Sequence, residues 1–133
     1  MPVKLVIAIT KRDDISYEEF DRYWSEQHPK LFLKVPVYRD RLITYSQFHI
    51  DRSRKEEIKK LGLPVSDFDG LVTMVVNSLE DLVTIFNDEE YKQLVAPDES
   101  KFVKRSEAQV MVGYDLLKHD NYVTLPGVFT ADG

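Results

Sequence analysis

The chain has 133 residues, of which 43% are hydrophobic and 31% are charged, with no cysteine and a net charge of −5. These values are typical of a soluble globular domain, and the lack of cysteine excludes disulfides and thiolate chemistry and favours a cytoplasmic protein. The negative charge argues against nucleic acid as a partner, and no segment is long enough to cross a membrane.

The first half of the chain predicts a strand, a helix and a second strand. Residues 3–10 alternate with the period of a strand, and residues 1–10 are too short, and too poor in basic and cleavage signals, for a secretory leader. Ser16 followed by Glu19 is a capping box, which predicts that a helix begins at Ser16. Residues 42–50 alternate again and predict the second strand.

An apolar stripe on this first helix includes a histidine. The residues of the stripe recur at separations of three or four and are Phe20, Trp24, Gln27, His28, Leu31 and Val35. His28 is therefore expected to point inward, where an imidazole is a tunable acid or base. Pro29 disfavours helical geometry at His28, so we expect the helix to bend or restart there and to widen the space beside the ring.

The second half predicts two more strands and a second long helix. Residues 53–61 indicate a short exposed helical turn, and residues 71–76 a third strand after the Asp69-Gly70 turn. Ser78 is placed to cap a helix whose apolar pattern extends to Pro97, and residues 108–117 alternate as a fourth strand.

The order β-α-β-β-α-β predicts an α+β, ferredoxin-like domain over residues 1–117, with both helices on one face of a four-stranded antiparallel sheet. Several strands are apolar on both sides, so we expect the uncovered face to pack against a second copy in a homodimer. The remaining residues, 118–133, form a tail that is too apolar to be purely solvated. We expect the tail to pack on the domain or on the dimer partner.

The motifs of the chain, taken with this order, resemble those of the EthD-like family of dimeric α/β-barrel proteins. They are Phe20-x-x-Tyr23-Trp24-x-x-x-His28-Pro29, Asp69-Gly70, Asp88-x-x-Tyr91 and Asp98-Glu99-x-x-Phe102. The later motifs are most similar to a fungal branch described as decarboxylases or dehydratases of aromatic polyketide acids. The resemblance implies an aromatic polyketide substrate, chemistry without a cofactor, and proton transfer at His28.

Two groups of residues are candidates for the site. His28, Tyr45 and His49 are the candidate catalytic residues; the last two share one face of the second strand, which looks either toward the helices or toward a dimer interface. The candidate substrate-binding residues are Trp24, Phe20, Met74, Phe86, Met111, Asp98 and Lys11.

Each substrate-binding candidate also has a plain structural interpretation. The large apolar residues could line a flat aromatic pocket, although residues at such spacings are more commonly core. Asp98 is expected in a solvated loop after Pro97 and is kept because of the resemblance, while Lys11 could meet a substrate carboxylate. The three histidines lack the spacing of a metal site, so no metal is predicted.

The leading hypothesis is a cofactor-independent lyase that removes carbon dioxide or water from a hydroxylated polycyclic polyketide. Both reactions pass through an enolate, so His28 would move the proton while Tyr45 or His49 hydrogen-bonds the carbonyl oxygen. The alternatives are a cofactor-free oxygenase that converts an anthrone-like phenol to a quinone, and a small-ligand-binding dimer without enzymatic activity.

Overall fold

A four-stranded antiparallel sheet is the base of the fold in a computed structural model that describes residues 1–121. The strands lie in the spatial order β2-β3-β1-β4 and are β1 (Val3–Ile9), β2 (Leu42–His49), β3 (Gly70–Val76) and β4 (Gln109–Gly113). This arrangement confirms the predicted ferredoxin-like fold. The strand predicted over residues 108–117 is shorter in the structure, and most of the predicted tail, residues 122–133, lies outside the described residues.

The first helical segment begins as the capping box predicts. The side chain of Ser16 accepts a hydrogen bond of 3.0 Å from the backbone N–H of Glu19, and α1 runs over Tyr17–Arg22. A π-helical turn, Tyr23–Gln27, then leads directly into α2, His28–Phe32.

The break expected at Pro29 has a different form from the one predicted. His28 keeps helical angles, φ −58° and ψ −43°, and its backbone N–H donates to the carbonyl of Tyr23, five residues back. Pro29 lies in the first turn of α2, where its missing N–H costs least. The π turn therefore widens the helix at this point, and the helix continues past the proline.

Further helices complete the layer. The exposed turn expected at 53–61 is confirmed, and Ser78 caps the second long helix by accepting a hydrogen bond from the N–H of Asp81. A helix over 36–41 was not predicted. The remaining helices are α3 (Pro36–Arg41), α4 (Lys55–Lys59, after a 3₁₀ turn at Arg52–Arg54), α5 (Leu79–Asn87) and α6 (Ala96–Glu99).

The expectation of a solvated loop at Asp98 is wrong. A second π-helical turn, Tyr91–Val95, leads into α6, and Pro97 occupies the first turn of that helix instead of ending it. Asp98 consequently lies in a helix and is only 5% exposed. The same pattern of a π turn followed by a proline thus occurs in both helical segments.

The helices cover one face of the sheet and build the core on it. One cluster of buried residues includes Leu5, Phe32 and Ile85, and a second includes Trp24 and Phe102. Two partly buried residues, Ile7 and Val72, pack against both clusters. Because strand side chains alternate, the neighbours of these residues project to the opposite face.

Within residues 1–121 no helix lies over the opposite face of the sheet, which carries several apolar side chains together with the hydrogen-bonded Ser46 and Thr73. The strand register places Met111 beside Val6, and Phe48 beside Leu71, on this face. Phe48 is 57% exposed and Met111 is 55% exposed. We call the group Val6, Phe48, Leu71, Val75 and Met111 the open face.

The close packing of Gly70 against Trp24 can be tested by substitution. A Cβ at position 70 would lie 2.5 Å from Cζ3 of Trp24 and 3.1 Å from the carbonyl oxygen of Phe48. We therefore expect Gly70→Ala to lower the free energy of unfolding by about 1–3 kcal/mol. Denaturant titration followed through the emission of Trp24, the single tryptophan of the chain, measures this change.

Gly113→Ala is the matched control, because a Cβ at that position would meet nothing within 4 Å. Equal unfolding free energies for the wild type and Gly70→Ala would contradict the close packing.

Candidate active site

A cavity of about 650 Å³ lies between the helices and the covered face of the sheet. Most of its wall is apolar and comes from the core clusters and from β1, β3 and β4. Its polar lining residues are His28, Tyr45, Tyr91, Glu99, Arg105 and Ser106. A cavity of this size, apolar with a few polar groups, is typical of a small-molecule site.

His28 lines this cavity and is held by a carboxylate behind it. The residue is 4% exposed, and its Nδ1 lies 2.7 Å from Oδ2 of Asp98. A carboxylate only accepts hydrogen bonds, so Nδ1 carries the proton and Nε2 is the nitrogen left for a bound molecule. The rings of Phe32 and Phe102 flank the imidazole, with centroids 6.1 Å and 5.1 Å away.

Asp98 is fixed as an anion by the groups around it. The hydroxyl of Tyr23 donates to Oδ1 of Asp98, and Nζ of Lys101 lies 3.5 Å from the same oxygen. Burial alone would raise the pKa of Asp98, but the hydrogen bonds from Tyr23 and His28 outweigh it and hold that pKa below its ordinary value. Burial and Asp98 raise the pKa of Tyr23 to about 12, so its hydroxyl remains a donor.

The imidazole itself is set up as a base. Burial lowers the pKa of His28, and the hydrogen bond and charge of Asp98 oppose this effect without offsetting it. His28 is therefore neutral at pH 7 and has an unprotonated Nε2. When Nε2 accepts a proton, the charge of Asp98 stabilises the imidazolium that forms.

The inward face of β2 looks toward the helices, which decides between the two orientations left open by the sequence. Tyr45 lines the cavity, packs against the tilted ring of Phe32 at 4.4 Å between centroids, and accepts a hydrogen bond of 3.0 Å from Nε2 of Gln47. Burial raises the pKa of Tyr45, which keeps its hydroxyl protonated. His49 shares this face but does not line the cavity, since it stacks on Trp24 with 4.2 Å between ring centroids.

The structure divides the predicted substrate-binding residues. Trp24, Met74 and Phe86 line the cavity, and Asp98 stands behind His28. The residues Phe20, Met111 and Lys11, like His49, lie outside the lining.

Contacts hold Phe20 and Lys11 away from the cavity, and the alternation of the strand turns Met111 away from it. Phe20 is fully buried behind Trp24, at 5.5 Å between centroids. Met111 projects to the open face, because its neighbours Val110 and Val112 are the residues of β4 on the inward face. The ammonium group of Lys11 donates to the backbone carbonyls of Arg12 and Ile15, each at 2.6 Å.

Glu99 and Arg105 line the cavity but were not among the candidate site residues, although Glu99 belongs to the motif Asp98-Glu99-x-x-Phe102. Nε of Arg105 lies 3.1 Å from Oε2 of Glu99. Burial raises the pKa of Glu99 to about 7, although the charge and hydrogen bond of Arg105 lower it. That motif was the sequence signal for Glu99. Consecutive residues of a helix point about 100° apart, so Glu99 and Asp98 face different surroundings.

No group of three or more His, Asp or Glu side chains within residues 1–121 is placed to share a metal ion. Within the same residues, no helix is both long and apolar enough to span a bilayer.

The sequence matches the EthD domain family over residues 12–106. The chain belongs to this family. Two curated fungal relatives share 24% identity with it: a conidial pigment biosynthesis dehydratase EthD of Metarhizium robertsii and the dehydratase aurZ of Gibberella zeae. The alignments cover 83% of this chain and 80% of the first relative, and 84% of this chain and 76% of the second. The predicted lyase class agrees with these names.

Solved structures share the fold at lower identity. An EthD family protein from Bacillus halodurans has a TM-score of 0.59 at 22% identity, covering 87% of this chain and all of that one. A dimeric ferredoxin-like protein of Thermobifida fusca has a TM-score of 0.55 at 12% identity over 85% and 90% of the two chains. SnoaB, a cofactor-independent oxygenase from Streptomyces nogalater, has a TM-score of 0.56 at 10% identity, covering 94% of this chain and 97% of that one.

The raised pKa of Glu99 has a consequence for stability. Its pKa is about 7 in the folded protein against an ordinary value of 4.5, so its ionisation destabilises the fold as the pH rises toward and through 7. We expect the free energy of unfolding of Glu99→Gln, relative to wild type, to increase by about 2 kcal/mol between about pH 5 and pH 8. Denaturant titrations at several pH values measure it.

The exposed Glu57→Gln is the control, and its difference from wild type should stay flat over this range. A flat difference for Glu99→Gln would show that Glu99 ionises as an ordinary surface carboxyl.

Proposed function

We propose that the protein is a cofactor-independent dehydratase that removes water from a hydroxylated aromatic polyketide, with His28 as the base. The observation that carries this proposal is the His28–Asp98 pair, 2.7 Å apart, at the wall of an apolar cavity. The two fungal relatives support dehydration over decarboxylation, because both are named dehydratases and one is named for pigment biosynthesis.

The pair suits the first step of dehydrating a β-hydroxy ketone. Nε2 of His28 takes a proton from the carbon next to the carbonyl, and the electron pair forms an enolate. The carboxylate of Asp98 stabilises the resulting imidazolium, and the hydroxyl of Tyr45 lines the same cavity as a donor for the enolate oxygen. The carbon–oxygen bond at the β carbon then breaks, and formation of an aromatic ring drives the reaction onward.

The apolar wall suits the rings of such a substrate. Trp24, Phe32, Phe86 and Phe102 offer aromatic faces and edges, and Met74 lies among them on the sheet. These side chains bind flat ring systems by burial and stacking, without specifying a hydrogen-bond pattern. Specific recognition therefore falls to the polar lining residues.

A homodimer formed through the open face is part of this proposal. A sheet with helices on one side needs cover on the other, and the open face presents Phe48 and Met111 to solvent in the single chain. A structural neighbour from Thermobifida fusca is described as dimeric, which supports a dimer here without indicating the face that forms it.

Replacing His28 tests the catalytic role. We expect His28→Gln to lower kcat at least about 100-fold, because the glutamine cannot accept the proton. The assay uses a tetralone that carries a hydroxyl on the carbon β to the carbonyl, which becomes a naphthol on losing water. Mass spectrometry and an oxygen electrode follow the reaction, without added metal or cofactor.

The exposed His119→Gln is the control and should keep wild-type activity. Retention of activity by His28→Gln would refute its role. Oxygen consumption with a quinone product would favour an oxygenase, loss of carbon dioxide from a polyketide acid would favour a decarboxylase, and binding without turnover would favour a ligand carrier.

Light scattering tests the dimer. We expect a particle of twice 15.5 kDa at micromolar concentration. Met111→Glu on the open face should shift the protein toward monomer, because the substitution places a charge in an apolar contact. Val83→Glu, an equally exposed position on α5, should leave the mass unchanged. A monomeric wild-type protein would contradict the dimer.

A further inference from the structure

Dehydration needs a second proton transfer, to the oxygen that departs. Hydroxide is a poor leaving group, so an acid must protonate the departing oxygen as the carbon–oxygen bond breaks. The neutral His28 has its proton on Nδ1, which is turned to Asp98, and its Nε2 is the base. A departing oxygen on the face of the substrate away from Nε2 must be protonated by another residue of the cavity.

We propose that Glu99 is this acid, the second catalytic residue of the site, an inference that rests on the proposed dehydration. Glu99 follows Asp98 directly in α6, and the two carboxyl groups diverge: Asp98 bonds to His28, whereas Glu99 lines the cavity. One short helix therefore supports the base with its first carboxyl group and presents the acid with its second.

Arg105 positions the carboxyl group of Glu99. Its Nε lies 3.1 Å from Oε2, so this oxygen accepts a hydrogen bond and the acidic proton belongs on Oε1. Arg105 is itself a lining residue, in the 3₁₀ turn Arg105–Glu107 just before β4. Arg105, which lies outside α6, thus holds Oε2 of Glu99 and leaves Oε1 for the substrate.

The surroundings of Glu99 keep a proton available at neutral pH. The charged groups that act on it are Arg105, which lowers its pKa, and Asp98, which raises it, while burial is the largest effect and brings the pKa to about 7. The titratable hydroxyls that interact with Glu99 are those of Tyr38, Tyr45 and Tyr91, and burial raises the pKa of each, so all three are neutral. At neutral pH, Glu99 is therefore partly protonated while Nε2 of His28 carries no proton.

The two residues complete a balanced reaction. His28 Nε2 takes the proton from the α carbon, and the electron pair of that bond becomes the new carbon–carbon double bond. The carbon–oxygen bond breaks with its pair on oxygen, which takes the proton from Oε1 of Glu99 and leaves as water. His28 ends as imidazolium and Glu99 as carboxylate, and proton exchange with solvent restores both without an oxidant or reductant.

Three probes separate the acid from the base. The first is the β-hydroxy tetralone, whose dehydration needs both groups. The second is α-tetralone without the hydroxyl, in which only exchange of the α proton for solvent deuterium is possible. The third is the acetate ester of the hydroxy tetralone, whose leaving group departs without being protonated.

We expect Glu99→Gln to slow dehydration at least about 100-fold while leaving deuterium exchange and elimination of acetate within about 3-fold of wild type. His28→Gln should lose all three reactions. The wild-type kcat should also fall above about pH 7 as Glu99 ionises, and the exposed Glu57→Gln should match wild type throughout.

The outcomes are distinguishable. Dehydration by Glu99→Gln at the wild-type rate, or an equal loss of all three reactions, would overturn the role of Glu99 and leave the proposed function intact. Failure of the wild-type protein to dehydrate the hydroxy tetralone would overturn the proposed function and this inference together.

Discussion

The contact between His28 and Asp98 joins parts of the chain that are 70 positions apart, and the site depends on it. A carboxylate that is 5% exposed must be paired, because an isolated buried charge is costly by several kcal/mol. Asp98 meets this requirement with Tyr23 and His28 from the first helical segment and with Lys101 just beyond its own helix. The same pairing that makes the charge tolerable therefore fixes how the two helical segments meet and where the imidazole lies.

Both partners owe their orientation to an irregularity of the helices. The π turn Tyr23–Gln27 stands directly before His28, and the π turn Tyr91–Val95 stands shortly before Asp98. A π turn accommodates one extra residue, so it rotates everything after it relative to a regular helix. In each segment a proline lies in the first turn of the short α-helix that follows, α2 or α6, and this helix carries His28 or Asp98. The π turn followed by a proline, which occurs in both segments, brings the side chains of His28 and Asp98 together.

The sequence predicted the fold well because the fold rests on local signals. Ser16 and Ser78 cap the two helices as their positions indicate, and the alternation of the strands gave the ferredoxin-like order. The inward position of His28 followed from its place on the apolar stripe. Signals of this kind need only a few neighbouring residues and an assumed period.

The remaining features of the site depend on contacts between distant parts of the chain, which short sequence patterns do not contain. The solvated position predicted for Asp98 failed because Pro97 was interpreted as a helix end, whereas the π turn before it lets the helix continue. Met111 was predicted to bind substrate, but the pairing of β4 with β1 places Val110, and not Met111, on the inward face. Glu99 became recognisable only when the fold brought it to the cavity with Arg105.

The cavity has a buried inner wall and an exposed outer edge. Its inner wall, with His28, Trp24 and Met74, is buried and belongs to the core, so a change there affects folding as well as chemistry. Its outer wall ends on β4, an edge strand where Val110 is 59% exposed in the single chain. Substitutions on that edge can alter the room for a ring substituent at little cost to the fold. Such a substitution would change the size of molecule that the cavity accepts without altering the contact between His28 and Asp98.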